Sequence, residues 1–211
     1  VCMRSRAEDS LVLKRRVSDI SKPAPGLVIG SSSLRRAAQL KRIRPDWQIR
    51  PIRGNVPSRI RKTEEGDYDG VVLAMAGLSR LGLEDRADIC FDVSDFVPAP
   101  AQGALAVQVR SDDSRTTELT AALESAHDRI SCDAERQVLH ASGCGCSAPL
   151  GAYAELSGTQ VRLTAAVGSA DGSEYIKRQI SGPVQRYLQL ADCLAQQLLN
   201  EGGRDILNER N

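Results

Sequence analysis

The sequence predicts an α/β domain followed by a smaller α+β domain with a three-stranded sheet. Between residues 26 and 83, short apolar runs alternate three times with helical patterns. After residue 150, three strand-like stretches succeed one another and an amphipathic helix closes the block. The composition agrees: 211 residues with 41% hydrophobic and 26% charged describe one or two globular cores, not a disordered chain. Aromatic residues are only 3%, so the cores must be built from Leu, Val, Ile and Ala. No apolar run approaches the ~20 residues of a membrane-spanning helix. The N-terminus has no signal-peptide layout. Six irregularly spaced cysteines do not make a disulfide framework, so reduced thiols in the cytoplasm are expected. The chain opens on Val1, which reads as processing or as a piece of something longer.

In order, Gly26–Gly30 is a short buried strand running into Ser31-Ser32-Ser33, and Leu34–Leu40 is a helix with a serine N-cap. Trp47–Arg53 is a second strand, placed near an edge or bulge by Pro51. Gly54-Asn55 turns into a helix with Pro57 in its first turn. Asp69–Ala74 is a third, continuously apolar strand, followed by a helix over Ala76–Leu83. This alternation predicts parallel βαβ units with their binding loops at the strand C-termini. Residues 92–103 form a proline-containing connector; Leu105–Val109 reads as a strand, Ser114–Leu123 and Ile130–Leu139 as helices. A small-residue loop, Ala141–Ala148, precedes strands over Gly151–Leu156 and Val161–Val167, where Val161, Leu163, Ala165 and Val167 share a face. A hairpin turn at Ala170–Ser173, a strand over Glu174–Ile180 and the helix Tyr187–Leu199 complete the chain.

The net charge of +1 conceals a polarised sequence. Residues 1–62 hold 16 Lys+Arg against 4 Asp+Glu, and residues 63–211 hold 12 against 23. A basic half of this size answers either an anionic partner or simply solvent. Nucleic-acid readers interleave aromatics for stacking, and this half has only Trp47. The sharper signal is local. Gly30-Ser31-Ser32-Ser33-Leu34-Arg35-Arg36 puts hydroxyls and two guanidinium forks at a helix N-terminus, which suits carboxylates. Arg53-Gly54-Asn55-Val56-Pro57-Ser58-Arg59 and Ala76-Gly77-Leu78-Ser79-Arg80 repeat the arrangement at the next two strand ends. Parallel strands would bring all three to one rim, forming a pocket for a multiply anionic small molecule.

The loop Gly143-Cys144-Gly145-Cys146-Ser147-Ala148-Pro149 could hold a soft metal, close a strained disulfide or present a thiolate. Cys132 and His140 lie upstream without a second close ligand pair, so no metal site is assigned. His127 and His140 read as ordinary surface or helix residues.

Five motifs in this order and spacing resemble the porphobilinogen deaminase (hydroxymethylbilane synthase) family. They are Gly30–Arg36, Arg53-Gly54-Asn55-Val56, Leu73–Gly82, Pro98–Ala104 and Cys146-Ser147-Ala148-Pro149-Leu150-Gly151-Ala152-Tyr153. The resemblance spans residues 2–211 and implies two periplasmic-binding-protein-like α/β domains facing across a cleft, with a third, small α+β domain. By that comparison, residues 1–8 are a linker or remnant of the first domain, 9–98 the second domain, 99–124 a returning strand and helix of an incomplete first domain, and 125–211 the third. It implies a stepwise transferase that condenses four porphobilinogen molecules into hydroxymethylbilane with loss of ammonia, on a covalently bound dipyrromethane. Cys146 would carry that cofactor through a thioether. Ser31, Ser32, Ser33, Arg35, Arg36, Arg53, Arg59 and Gly77 would bind it, and Arg35, Arg59 and Arg80 would bind substrate. By that comparison most of the family's first domain is missing from this sequence, and the catalytic aspartate with it, so no catalytic residue is assigned and the chain is expected to be inactive alone; Asp67 and Asp69 sit at a strand start, the wrong end for a cleft. The implied partners are porphobilinogen and polypyrrole carboxylates, with a separate chain supplying the first domain as one alternative, and no nucleic acid or membrane. The family is typically monomeric and cytoplasmic, or plastidic in a photosynthetic source. Two other readings stand beside it: a non-enzymatic polycarboxylate-binding module and a nucleic-acid-binding protein.

Overall fold

The computed structural model describes all residues except Ser18, Cys146 and 209–211. Its first sheet has five strands, β1 (Asp9–Leu13), β2 (Val28–Gly30), β3 (Gln48–Arg50), β4 (Gly70–Ala74) and β5 (Ile89–Cys90), in the order β3-β2-β4-β1-β5. Strand β2 is parallel to both β3 and β4, as the alternation requires. Helices α1 (Leu34–Ile43), α2 (Val56–Glu65) and α3 (Met75–Ser79) follow β2, β3 and β4.

The period-2 alternation of the strands divides the core between the two faces of this sheet. Leu11, Leu13, Ile29 and Val72 bury against Leu40 of α1, Trp47, Phe91 and Phe96. Val12, Val71 and Leu73 bury on the other side with Ile52, Ile60 of α2, Met75 and Leu78 of α3. Ser33 caps α1 by accepting from the Arg36 N–H at 3.4 Å, and Asn55 caps α2 by accepting from the Ser58 N–H at 3.0 Å.

Helices α4 (Ser114–Ala121) and α5 (Ala126–Ala141) lead to the second sheet, an antiparallel meander of β6 (Leu150–Ser157), β7 (Gln160–Gly168) and β8 (Tyr175–Pro183). Its buried face (Ala152, Ala154, Val161, Leu163, Ala165) packs on Ala134 and Val138 of α5. Ala191, Leu194 and Leu198 of α6 (Tyr187–Leu198) cover the same face. Short α7 (Arg204–Asn208) follows.

Four expectations change. Strand β1 reads as no element in the sequence, yet it pairs antiparallel with β4 from Asp9↔Ala74 to Leu13↔Gly70, making the sheet mixed. Strand β5 was not expected either; it is two residues long and pairs with β1. The helix expected over Ala76–Leu83 ends at Ser79, where a turn closes with Gly82 N–H to Ser79 O and Leu83 N–H to Leu78 O. The strand expected at Leu105–Val109 does not form. Among the described residues its backbone hydrogen-bonds to the N-terminal segment, through Cys2 N–H to Leu105 O at 3.0 Å, and Leu105 and Val107 are each 51% exposed. A strand is stabilised by its neighbours, and among the described residues none pairs with it.

Candidate functional site

Because β2, β3 and β4 are parallel, the starts of α1, α2 and α3 share one edge of the sheet, as the three arginine-bearing motifs require. At this edge Arg35 and Arg36 converge on Asp9, the first residue of β1, which is fully buried. Arg35 Nη1 donates to Asp9 Oδ2 at 2.7 Å and to Val97 O at 2.8 Å. Arg36 Nε donates to Asp9 Oδ1 at 2.9 Å, and its Nη2 stands 2.7 Å from the same oxygen in an ion pair. Gln102 completes the cluster, donating to Asp9 Oδ1 at 3.0 Å and accepting from Arg35 Nη2 at 3.3 Å. Burial alone would raise the Asp9 pKa, but the two guanidiniums outweigh it and hold the carboxyl below its ordinary value. Burial lowers the Arg35 pKa and Arg36 adds to the fall, against the pull of Asp9.

Two guanidiniums against one carboxylate leave the cluster a net positive charge. Arg59 adds to it from α2. Its pKa is lowered by burial, and the repulsion of the Arg36 charge adds to the fall. Arg59 Nε donates to Gly54 O at 2.8 Å, which fixes the side chain over the β3–α2 junction. Arg53 is exposed beside it. A dianionic or polycarboxylate ligand would relieve this repulsion, and the N–H groups of the first turn of α1 point to the same end.

The remaining expected residues divide. Ser32 Oγ bridges two strands by donating to Ile52 O at 2.8 Å and accepting from Ile52 N–H at 3.0 Å. Ser31 is buried, and its hydroxyl accepts from the Ser33 N–H at 3.2 Å. With Ser33 as the helix cap, all three hydroxyls shape the β2–α1 junction. Gly77 brings α3 close to α2: a Cβ there would stand 3.2 Å from Val56 Cγ2. Arg80 reaches away to Gly103 O at 2.9 Å. Asp69 is engaged by the Val28 N–H at 2.8 Å, at the opposite end of the strands. His127 and His140 both lie on α5.

Cys146 lies outside the described residues, but its loop can be placed. Gly143, Cys144, Gly145 and Ser147 line a cleft of about 660 Å³ together with Leu34, the first residue of α1. The loop of the second sheet's domain therefore borders the helix that carries Arg35 and Arg36. Cys144 is half-buried, and burial pushes its thiol up, away from the reactive thiolate. Asp9 and Gln102 are functional residues that no local sequence signal assigns to the rim, although Gln102 lies within Pro98–Ala104. An acidic residue two positions before the apolar run Leu11–Leu13, with Ser10 between, is the signal available for Asp9.

Fold and rim together define an α/β scaffold with a cationic edge, joined to an α+β domain that presents a cysteine loop to that edge. Residues 1–118 match the family model described as "Porphobilinogen deaminase, dipyromethane cofactor binding domain", and residues 129–200 match "Porphobilinogen deaminase, C-terminal domain". The chain belongs to the porphobilinogen deaminase family, a family of transferases.

Proposed function

We propose that residues 1–211 form the carboxylate-gripping and cofactor-holding part of a hydroxymethylbilane synthase. The observation that supports this most is the Arg35–Arg36 pair in the first turn of α1, whose first residue, Leu34, lines one cleft with Gly143, Cys144, Gly145 and Ser147. The donor set suits the group: each pyrrole of a dipyrromethane carries two carboxylates, and guanidinium forks bind carboxylates bidentately. Once bound, the dipyrromethane supplies a nucleophilic terminal pyrrole carbon on which the chain of porphobilinogen units grows. Arg36 and Arg59 grip its carboxylates, with Arg53 available at the exposed margin. Asp9 keeps Arg35 and Arg36 aligned and does not itself meet substrate, because it is fully buried and its oxygens are taken by Arg35, Arg36 and Gln102. Cys146 holds the primer by a thioether, and Arg80 steadies the 99–103 turn.

No carboxylate other than Asp9 contacts these arginines among the described residues. The resemblance, which assigns the family's proton-transfer aspartate to none of the matched motifs, supports the proposal that this group is supplied from outside residues 1–211. Acid–base groups contribute typically ~10²–10⁴-fold to rate. The polypeptide 1–211 by itself should leave porphobilinogen unconsumed above the buffer control. Supplied with porphobilinogen and a polypeptide carrying the family's first domain, it should gain a two-pyrrole mass. Peptide mass spectrometry locates the adduct: Cys144→Ser should keep it and Cys146→Ser should lose it. The reverse pattern would move the attachment site, and no adduct in either would reject the reading.

A further inference from the structure

A second basic site lies at the opposite pole of the five-stranded sheet. Strand β1 runs antiparallel to β4 with Leu13 opposite Gly70, so the residues after Leu13 emerge where β4 begins, while the arginine edge lies where it ends. The five residues of β4 put roughly 16 Å between the two poles, at about 3.3 Å per residue.

A cavity of about 510 Å³ opens there, within the roughly 300–1,000 Å³ usual for small-molecule sites. Its floor is apolar: Leu13, Val17 and Leu27 line it, and all three pack in the hydrophobic cluster that includes Trp47. Lys14, Arg15 and Lys22 line its mouth, and all three are exposed. The salt bridges of this region go to Arg16 with Asp88 and Arg44 with Asp46, so Lys14, Arg15 and Lys22 are left without one among the described residues. Asp69, the one carboxylate lining the cavity, is engaged by the Val28 N–H at 2.8 Å. Asp19, near Lys22, is engaged by the Ser21 N–H and hydroxyl, both at 2.9 Å.

The wall of this cavity is held before any ligand arrives. Arg44, the C-cap of α1, donates through Nη1 to Ile20 O at 2.9 Å and Pro23 O at 3.2 Å, and through Nη2 to Ala24 O at 3.3 Å. Its guanidinium lies 4.6 Å over the Trp47 ring and is paired with Asp46, whose carboxyl that pairing draws down to about 2. Asp46 therefore stays ionised at neutral pH, and the three carbonyls and this ion pair together hold the Arg44 guanidinium against the wall. A preorganised wall removes ordering cost from binding.

We propose that this cavity binds a small amphipathic organic monoanion, a carboxylate or sulfonate on a compact apolar body. The head group sits among Lys14, Arg15 and Lys22, and the body covers Leu13, Val17 and Leu27. An inorganic anion would leave the apolar floor hydrated, and a neutral apolar molecule would leave Lys14, Arg15 and Lys22 without a salt bridge.

Trp47 is the sole tryptophan and packs with the floor residues, so it serves as a reporter. The full chain is titrated with 1-anilinonaphthalene-8-sulfonate, reading energy transfer from Trp47. Saturable one-to-one binding is expected. N-phenyl-1-naphthylamine, which lacks the sulfonate, should bind at least about tenfold more weakly, the scale of one or two charge-assisted hydrogen bonds, and sulfate alone should not compete at matched concentration. The double variant Lys14→Glu/Lys22→Glu should weaken binding at least about tenfold, and Lys22→Ala alone about threefold, both changes falling on exposed side chains. Leu105→Ser/Val107→Ser, on the exposed apolar segment, should leave it unchanged. Equal binding of the neutral analogue, indifference to both lysine variants, or loss in the Leu105→Ser/Val107→Ser variant would each overturn the assignment.

Discussion

Asp9 is a single carboxylate enclosed with two guanidiniums, and its weight comes from what its loss would strand. Breaking one partner of a buried ion pair leaves an uncompensated charge and typically costs about 3–5 kcal/mol. Asp9→Asn keeps the shape but removes the charge, leaving Arg35 and Arg36 facing each other in a site where Arg35 is 4% exposed. Urea unfolding at neutral pH should show a loss of that size. The sign of its pH dependence follows from the depressed carboxyl. Asp9 contributes stability above the ordinary carboxylate value of 3.8, and that contribution disappears as pH falls through its lower folded value. The gap between wild type and Asp9→Asn should therefore narrow in strong acid, and a gap constant down to pH 2 would contradict this account. The arginines themselves were legible from residue type and position after a strand. Their counter-ion was not, because Asp9 and Arg35 are 26 residues apart and only β1–β4 pairing brings them together.

Among the elements, the segments that read clearly are those whose local pattern and tertiary burial agree. Helix α1 carries its own cap and apolar stripe, and β4 is apolar because both of its faces are covered. Leu105–Val109 shows the opposite case. Its alternation has the β period, yet period alone makes no strand where no partner supplies the ladder. Amide hydrogen exchange should be fast over 104–110 and slow over 28–30 and 70–74. Equal protection of all three would mean that a further strand pairs with this segment in solution. The brief α3 was over-read for a related reason: leucines at helical spacing continue past Ser79, while the turn closed by Gly82 and Leu83 has already redirected the chain.

At the scale of the molecule, the cysteine loop reaches the arginine edge because the two sheets are joined at residues 97–98. Ala152 N–H donates to Pro98 O at 3.0 Å, and a Cβ on Gly151 would stand 2.6 Å from Val97 O, so this contact demands glycine. The same Val97 carbonyl accepts from Arg35 and from Gln39, whose Oε1 also accepts from the Tyr175 hydroxyl of β8 at 3.2 Å. Gly151→Ala should push β6 off this backbone and cost about 1–3 kcal/mol of stability, the usual range for forced overpacking. Urea denaturation measures the loss, and an unchanged midpoint would show that the joint is looser than this close approach implies.

The sequence by itself determined the elements with strong local signals, the three arginine-bearing strand ends and the family whose motifs those loops carry. Residue type, cap and period are local properties, and they survive without knowledge of neighbours. Tertiary structure alone decided that β1 lies antiparallel inside the sheet, that Asp9 is the buried anion between Arg35 and Arg36, and that the serine hydroxyls shape a junction. It also decided that Lys14, Arg15 and Lys22 gather around an apolar cavity far from the arginine edge. Each of these depends on pairing between residues distant in sequence, where burial and counter-charge are fixed by which segments meet.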